Sequence, residues 1–145
     1  MGFIKSLFGI GDSSNEKLSL QDHELGTFTG LSNNRIIWKG TINFLGENIS
    51  LFIHGDKEQL DNSEKTAIME FLRNEKTIEA GMESSLKEQY DNANKEYLHW
   101  KDHFTCLSIE TSAHDIIVTM EEKESYHHFN IRFINNKATD ITIDT

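Results

Sequence analysis

Seven histidines and a single cysteine in 145 residues are the first place to look for chemistry. His99-x-x-x-His103-x-x-Cys106 sets two imidazoles and a thiolate in a row. If a helix ran through His103, the two rings would share a face four residues apart, as in zinc sites built on helices. Trp100, not a glutamate, follows His99, and Asp102, the nearest fourth ligand, points elsewhere on such a helix. Cys106 reads equally well as a small core residue past the helix end. His99, His103 and Cys106 are therefore a metal candidate without a completed donor set, and no cofactor is expected. His127 and His128 are neighbours on a strand, so their rings face opposite ways and cannot share an ion. His128, Asn130 and Arg132 share the face opposite Phe129 and Ile131, a polar row that lines a groove or meets water.

Acid–base catalysis needs two carboxylates, or a carboxylate and a histidine, brought together in a cleft. Carboxylates abound here, but no spacing selects a pair. A G-x-S-x-G elbow, a P-loop and a dinucleotide fingerprint are absent from the sequence. Cys106 as a nucleophile would need exposure and an adjacent base. A pocket between helix and sheet, rimmed by Tyr90, Tyr97, His99, Trp100 and His103, is the alternative that would make the chain a small-ligand binder or an enzyme.

The acids point another way. Glu75, Glu79 and Glu83 follow one another at four-residue steps, which is self-repelling on an isolated helix. With Glu121, Glu122 and Glu124 they make an acidic patch suited to a basic protein partner. The formal charge of −10 argues against DNA or RNA, whose phosphates need an excess of Lys and Arg. Toward a basic partner it favours association rate and selectivity.

These residues have to be positioned by a long amphipathic segment between two sets of alternating runs. Asp61-Asn62-Ser63-Glu64 reads as a helix start, with Glu64 reaching back as in a capping box. Ile68, Phe71, Leu72, Ile78, Met82, Leu86, Tyr90, Ala93 and Tyr97 then recur at helical spacing. Gly81 costs about 1 kcal/mol relative to Ala, and the stripe thins over residues 73–76. The segment from about 61 to 95 is therefore expected to be one kinked helix or two in series. Upstream, residues 25–29, 36–44 (with Gly40 at a bend or bulge) and 49–53 alternate as strands. Downstream, Leu107 with Ile109, then Ile116 to Met120, Phe129 to Phe133 and Ile141 with Ile143 form four more. The Asn135-Asn136-Lys137 stretch supplies a tight turn. The expected fold class is α+β: three strands, a central helix on one face, then four strands, in a mostly antiparallel sheet. Residues 1–21 read as an apolar arm and polar linker, and residues 22–145 as one domain.

Phe3, Ile4, Leu7 and Phe8 line one side of the arm, and Met1-Gly2-x-x-x-Ser6 matches an acylation pattern. Membrane anchoring through residues 3–8 is thus a third reading. No run of about 18 apolar residues is present, and no secretory signal is recognisable. One cysteine excludes an intrachain disulfide. The expected location is the cytoplasm.

The series Leu25-Gly26-x-Phe28, Trp38-x-Gly40-x-Ile42-x-Phe44 and Ile49-x-Leu51-x-Ile53 resembles the opening of a group of small bacterial domains of unassigned role. Phe71-Leu72-x-Asn74, Leu86-x-x-x-Tyr90 and Phe129-x-Ile131-x-Phe133-x-Asn135-Asn136-Lys137 are similar to later parts of the same group. The likeness covers about residues 24–143 and rests on structural positions. It implies a bacterial, cytoplasmic, single-domain α+β protein of unknown function, some of whose look-alikes are suspected to be immunity-type proteins that neutralise toxins; with the missing catalytic constellation, the expected function is a non-enzymatic protein-binding module. It brings no catalytic residues with it.

Overall fold

The computed structural model describes residues 17–31, 35–113 and 115–145. The arm with its acylation pattern, the linker residues 11–16, the turn residues 32–34 and His114 lie outside the described residues. The fold is α+β and dominated by one eight-stranded sheet whose strands lie side by side in chain order. They are β1 (Lys17–Asp22), β2 (Gly26–Leu31), β3 (Ile36–Phe44), β4 (Glu47–Gly55), β5 (Phe104–Ser112), β6 (Asp115–Glu122), β7 (His128–Ile134) and β8 (Lys137–Asp144). Between β4 and β5 come α1 (Asn62–Arg73), α2 (Glu75–Asn92) and the single turn α3 (Trp100–His103).

The layout is thus four strands, helices, four strands, not three and four. The extra strand is β1, in a stretch that reads as linker because only two of its residues are apolar. Those two, Leu18 and Leu20, alternate; they pair with Gly30 and Phe28 and pack against the core. Neighbouring strands pair antiparallel except β4 and β5, which run parallel, with Leu51 opposite Ile109. A parallel pair cannot be closed by a tight turn, so the chain must cross over one face. The helices are that crossover.

The helix breaks at Asn74, not at Gly81. Asn74 sits at φ −109°, ψ 34°, and its side-chain amide donates to the Glu70 carbonyl at 2.8 Å. Gly81 is instead a packing device. A Cβ there would meet the Phe133 ring at 3.3 Å and Ala138 Cβ at 3.6 Å, so its absence brings α2 close to β7 and β8. Gly40 likewise marks neither bend nor bulge, since β3 and β4 pair without interruption; the Phe28 ring crosses over it, and a Cβ would meet that ring at 2.5 Å.

The helical stripe is buried at Ile68, Phe71, Ile78, Met82, Leu86 and Tyr90. It joins Trp38, Leu51, Ile109, Val118 and Ile131 in one core. Phe71 stands between Phe44 and Phe133, with ring centroids 5.9 and 5.3 Å away. Ala93 caps α2 in water, and Tyr97 returns from the following loop. Leu107 and Ile109 do not share a simple alternation, because a bulge between Cys106 and Ser108 shifts the register. Cys106 and Ile109 consequently face the helices, while Ser108 and Glu110 face the other side of the sheet.

The turn between β7 and β8 carries the geometry its residues favour. Asn135 and Asn136 both lie at positive φ, 51° and 63°, and join the paired residues Ile134 and Lys137. Asn tolerates that region, which a two-residue hairpin turn of this hand requires.

Candidate functional site

The pocket rim expected from the sequence gathers at the end of α2, but as a packed cluster. Tyr90 and Tyr97 meet edge to face at 5.5 Å, and His103 lies 4.9 and 5.3 Å from their ring centres. The Tyr90 hydroxyl donates to Glu122 and the Tyr97 hydroxyl to Glu83. Trp100 is fully buried; its backbone N–H donates to Glu83 and its indole N–H to Glu79, both at 2.7 Å. Burial and the carboxylate acceptors push both phenols well above their usual range. Glu122 goes the other way: burial raises it, but the Ser125 and Tyr90 hydroxyls prevail and hold it below the usual carboxylate range. The phenols are fixed as donors here, not bases.

The same contacts engage most of the acids expected to form a patch. Glu79 and Glu83, both half-buried, accept from Trp100 and Tyr97, and Glu122, 4% exposed, lies in the interior. Glu75 is half-buried and accepts the Leu45 N–H at 3.3 Å. Glu121 pairs with His128 at 3.2 Å. Of the six acids only Glu124 is freely exposed. Their four-residue spacing serves a row of donors arriving from the loop and from α3.

His99, His103 and Cys106 do not converge. The Nδ1 of His99 accepts the Lys101 N–H at 3.1 Å, and the Nε2 of His103 accepts the Leu98 N–H at 3.0 Å. Cys106 is buried on β5, and burial pushes its thiol up to about 12. Among the described residues no group of three or more His, Cys, Asp or Glu side chains is placed to hold a metal ion. In the polar row, the Asn130 carbonyl accepts from Thr119 and its amide donates to Asp144, both at 2.9 Å. Arg132 lies 3.6 Å from Asp115 and 3.7 Å from Asp140.

A second cluster, at the opposite end of the helices, is centred on Glu64. This side chain is 2% exposed and does not reach back to cap its helix, because the Asp61 N–H donates to the His54 carbonyl at 2.8 Å. The other half of the expected cap forms: Asp61 accepts the Glu64 N–H at 3.0 Å. The Glu64 carboxylate turns to the sheet. It receives Arg35 at 2.7 Å, the His54 N–H at 3.1 Å, the His54 Nδ1 at 3.0 Å and the Thr111 hydroxyl. Burial raises its pKa, but the His54 and Thr111 bonds prevail and hold it below the usual carboxylate range. Arg35 and Asp61 face a groove also lined by Gly55, Asp56, Gln59, Leu60 and Asn62. Chemically this is an imidazole oriented by a buried carboxylate and anchored to two strands. The signal was in the sequence: Glu64 precedes Ile68 by four residues and Phe71 by seven, and so lies on the apolar stripe.

The side of the sheet away from the helices carries two rows set by the strand register. One reads Thr41, Ser50, Ser108, Thr119, Asn130, Thr142, and the next Lys39, Phe52, Glu110, Ile117, Arg132, Asp140. Glu110 is 4% exposed, one of its carboxyl oxygens has no hydrogen-bond partner among the described residues, and burial pushes its pKa up to about 7. No family model, curated protein or solved structure matches this chain. No helix among the described residues is long and apolar enough to cross a membrane.

Proposed function

We propose that the chain is a non-enzymatic protein-binding module, of the immunity or neutraliser kind, that holds a basic partner along β8. The observation that carries this reading is the state of that strand. β8 is an edge strand, eight residues long and mostly exposed, with Ile143 42% exposed. Open edges of this kind accept an added strand, whose backbone supplies affinity and whose side chains supply selectivity. The exposed acids Asp140 and Asp144 flank it on one face, and the whole chain carries a charge of −10. An incoming strand with Lys or Arg at alternate positions meets both features. A second copy fits less well, since antiparallel pairing of two β8 strands centred on Thr142 sets Asp140 against Asp144.

The test is a low-salt pull-down from host lysate with wild-type protein and the D140K/D144K double variant side by side, with cross-links mapped by mass spectrometry. A basic partner that the wild type retains, the variant loses and β8 cross-links supports the reading. Equal capture by both, or no capture by the wild type, removes it.

A further inference from the structure

Resting on the reading of β8 as a docking edge, we propose that the strand received there is short and antiparallel, and that it bonds the backbone of Ile141 and Ile143. It carries Lys or Arg at its first, third and fifth residues and an apolar residue at the second and fourth. Asn135 and Asn136 make a two-residue loop, so Ile134 and Lys137, which close it, exchange both of their backbone hydrogen bonds. Bonded pairs alternate along β7 with pairs that are not bonded to each other. Arg132, Asn130 and His128 thus bond β8, while Phe129 and Ile131 turn their backbone groups to β6. Their opposites, Ile143 and Ile141, turn theirs to the outer edge, where no strand lies among the described residues. The hairpin closed by Ser112 and Asp115 gives the same alternation, with Ile116 and Val118 turned toward β7. Before Asp140 the edge is interrupted by Thr139, the extra residue of a bulge opposite Arg132. The regular edge therefore runs from Asp140 to Asp144.

The two faces of that edge set the side chains of the guest. Residues opposite one another across an antiparallel pair share a face. Ile141 packs against the core on the helix side, and Ile143, two residues on, is 42% exposed beside Phe129. Apolar residues set opposite these two extend the core outward and cover Ile143. Asp140, Thr142 and Asp144 alternate with them and lie on the other face. Cations there meet the two acids and select the guest by charge. Asp140 is already shared with Arg132 at 3.7 Å, whereas Asp144 accepts the Asn130 amide and meets no cation among the described residues. The cation opposite Asp144 therefore discriminates most. An antiparallel guest uses the N–H groups of its apolar residues, since these face Ile141 and Ile143 directly. A parallel guest would use those of its basic residues, in a pairing slightly less stable per residue.

The probe is the peptide Gly-Ser-Lys-Val-Lys-Val-Lys-Ser-Gly, titrated at low salt to about 1 mM into the full chain, with backbone amides followed by NMR. In the free chain the Ile141 and Ile143 amides should exchange rapidly, and bound peptide should slow them at least tenfold. N-methylating the backbone of both valines should weaken binding at least tenfold, while N-methylating that of the three lysines should leave it unchanged. Asp144→Asn should weaken binding more than Asp140→Asn, the amide spectrum of each variant confirming that it is folded. Protection of the Ile141 and Ile143 amides in the free chain, loss of binding on lysine methylation, or no binding of the unmodified peptide overturns the proposal. Failure of the underlying reading looks different. Peptide and host partner that bind the D140K/D144K variant as well as wild type remove both. A host partner cross-linked to β8 while the peptide stays unbound removes only the register and side-chain pattern.

Discussion

Glu64 on α1 and Thr111 on β5 meet through a hydroxyl-to-carboxylate hydrogen bond although 47 residues separate them. With the His54 N–H at 3.1 Å on the same carboxylate oxygen, this pins the first helix across the β4–β5 junction. Glu64→Ala leaves the His54 and Thr111 donors without an acceptor and should cost about 3 kcal/mol in urea unfolding. Arg35→Ala should cost only about 0–1 kcal/mol, because the guanidinium is 58% exposed. The pKa of Glu64 is lowered in the fold, so its contribution is present above the unfolded value near 4.5 and lost as pH falls further. Glu64→Gln should therefore flatten the acid limb of the stability curve; an unchanged limb contradicts the assignment.

Glu110 carries the opposite sign. Its folded pKa near 7 lies above the usual glutamate value of 4.5, so its own contribution to stability is greatest below pH 4.5 and is lost as pH rises toward and through 7. Glu110→Gln should match the wild type at pH 4 and exceed it by about 1–3 kcal/mol at pH 8. Parallel curves for the two proteins would show that the carboxyl is solvated.

Tyr97 and Tyr90 should stay un-ionised in the native protein past the pH at which free phenols titrate, as followed by ultraviolet absorbance. Tyr97→Phe removes one donor from Glu83 and should cost about 1 kcal/mol. Glu83→Ala strips acceptors from both Tyr97 and the Trp100 N–H and should cost roughly twice as much, with a shift in Trp100 fluorescence. Equal losses in the two variants would mean the Trp100 bond contributes nothing.

Gly81→Leu should destabilise by about 1–3 kcal/mol through overpacking against Phe133 and Ala138. A glycine facing solvent would instead gain about 1 kcal/mol on such a change. The sign of the measured shift alone decides between the two.

Much of this fold was legible because apolar spacing is a strong signal. Ile68 to Tyr90 and the alternations at Trp38, Ile49, Val118 and Ile131 all face the core they predict. What escaped notice was set by partners distant in sequence. Leu18 and Leu20 count as a strand only because Phe28 and Gly30 stand beside them. Glu79, Glu83 and Glu122 look like a solvent-facing acidic row until Trp100, Tyr97 and Tyr90 arrive as donors. The break at Asn74 falls where the apolar stripe thins over residues 73–76, whereas Gly81, the other place a kink was expected, serves the close approach to β7. Glu64 was misread because a capping box and a buried stripe compete for the same side chain, and tertiary donors decided the contest.

The parallel seam between β4 and β5, the only one among the described residues, divides the sheet into halves that are each contiguous along the chain. Within each half, successive strands are joined by short reversals, so their pairing entails little loop-closure entropy. The seam joins residues some 58 positions apart, Leu51 with Ile109, and it forms only when the intervening helices settle. A backbone nick in the exposed stretch 56–59 should therefore yield two fragments able to reassociate, with recombination limited by the docking of the helical piece.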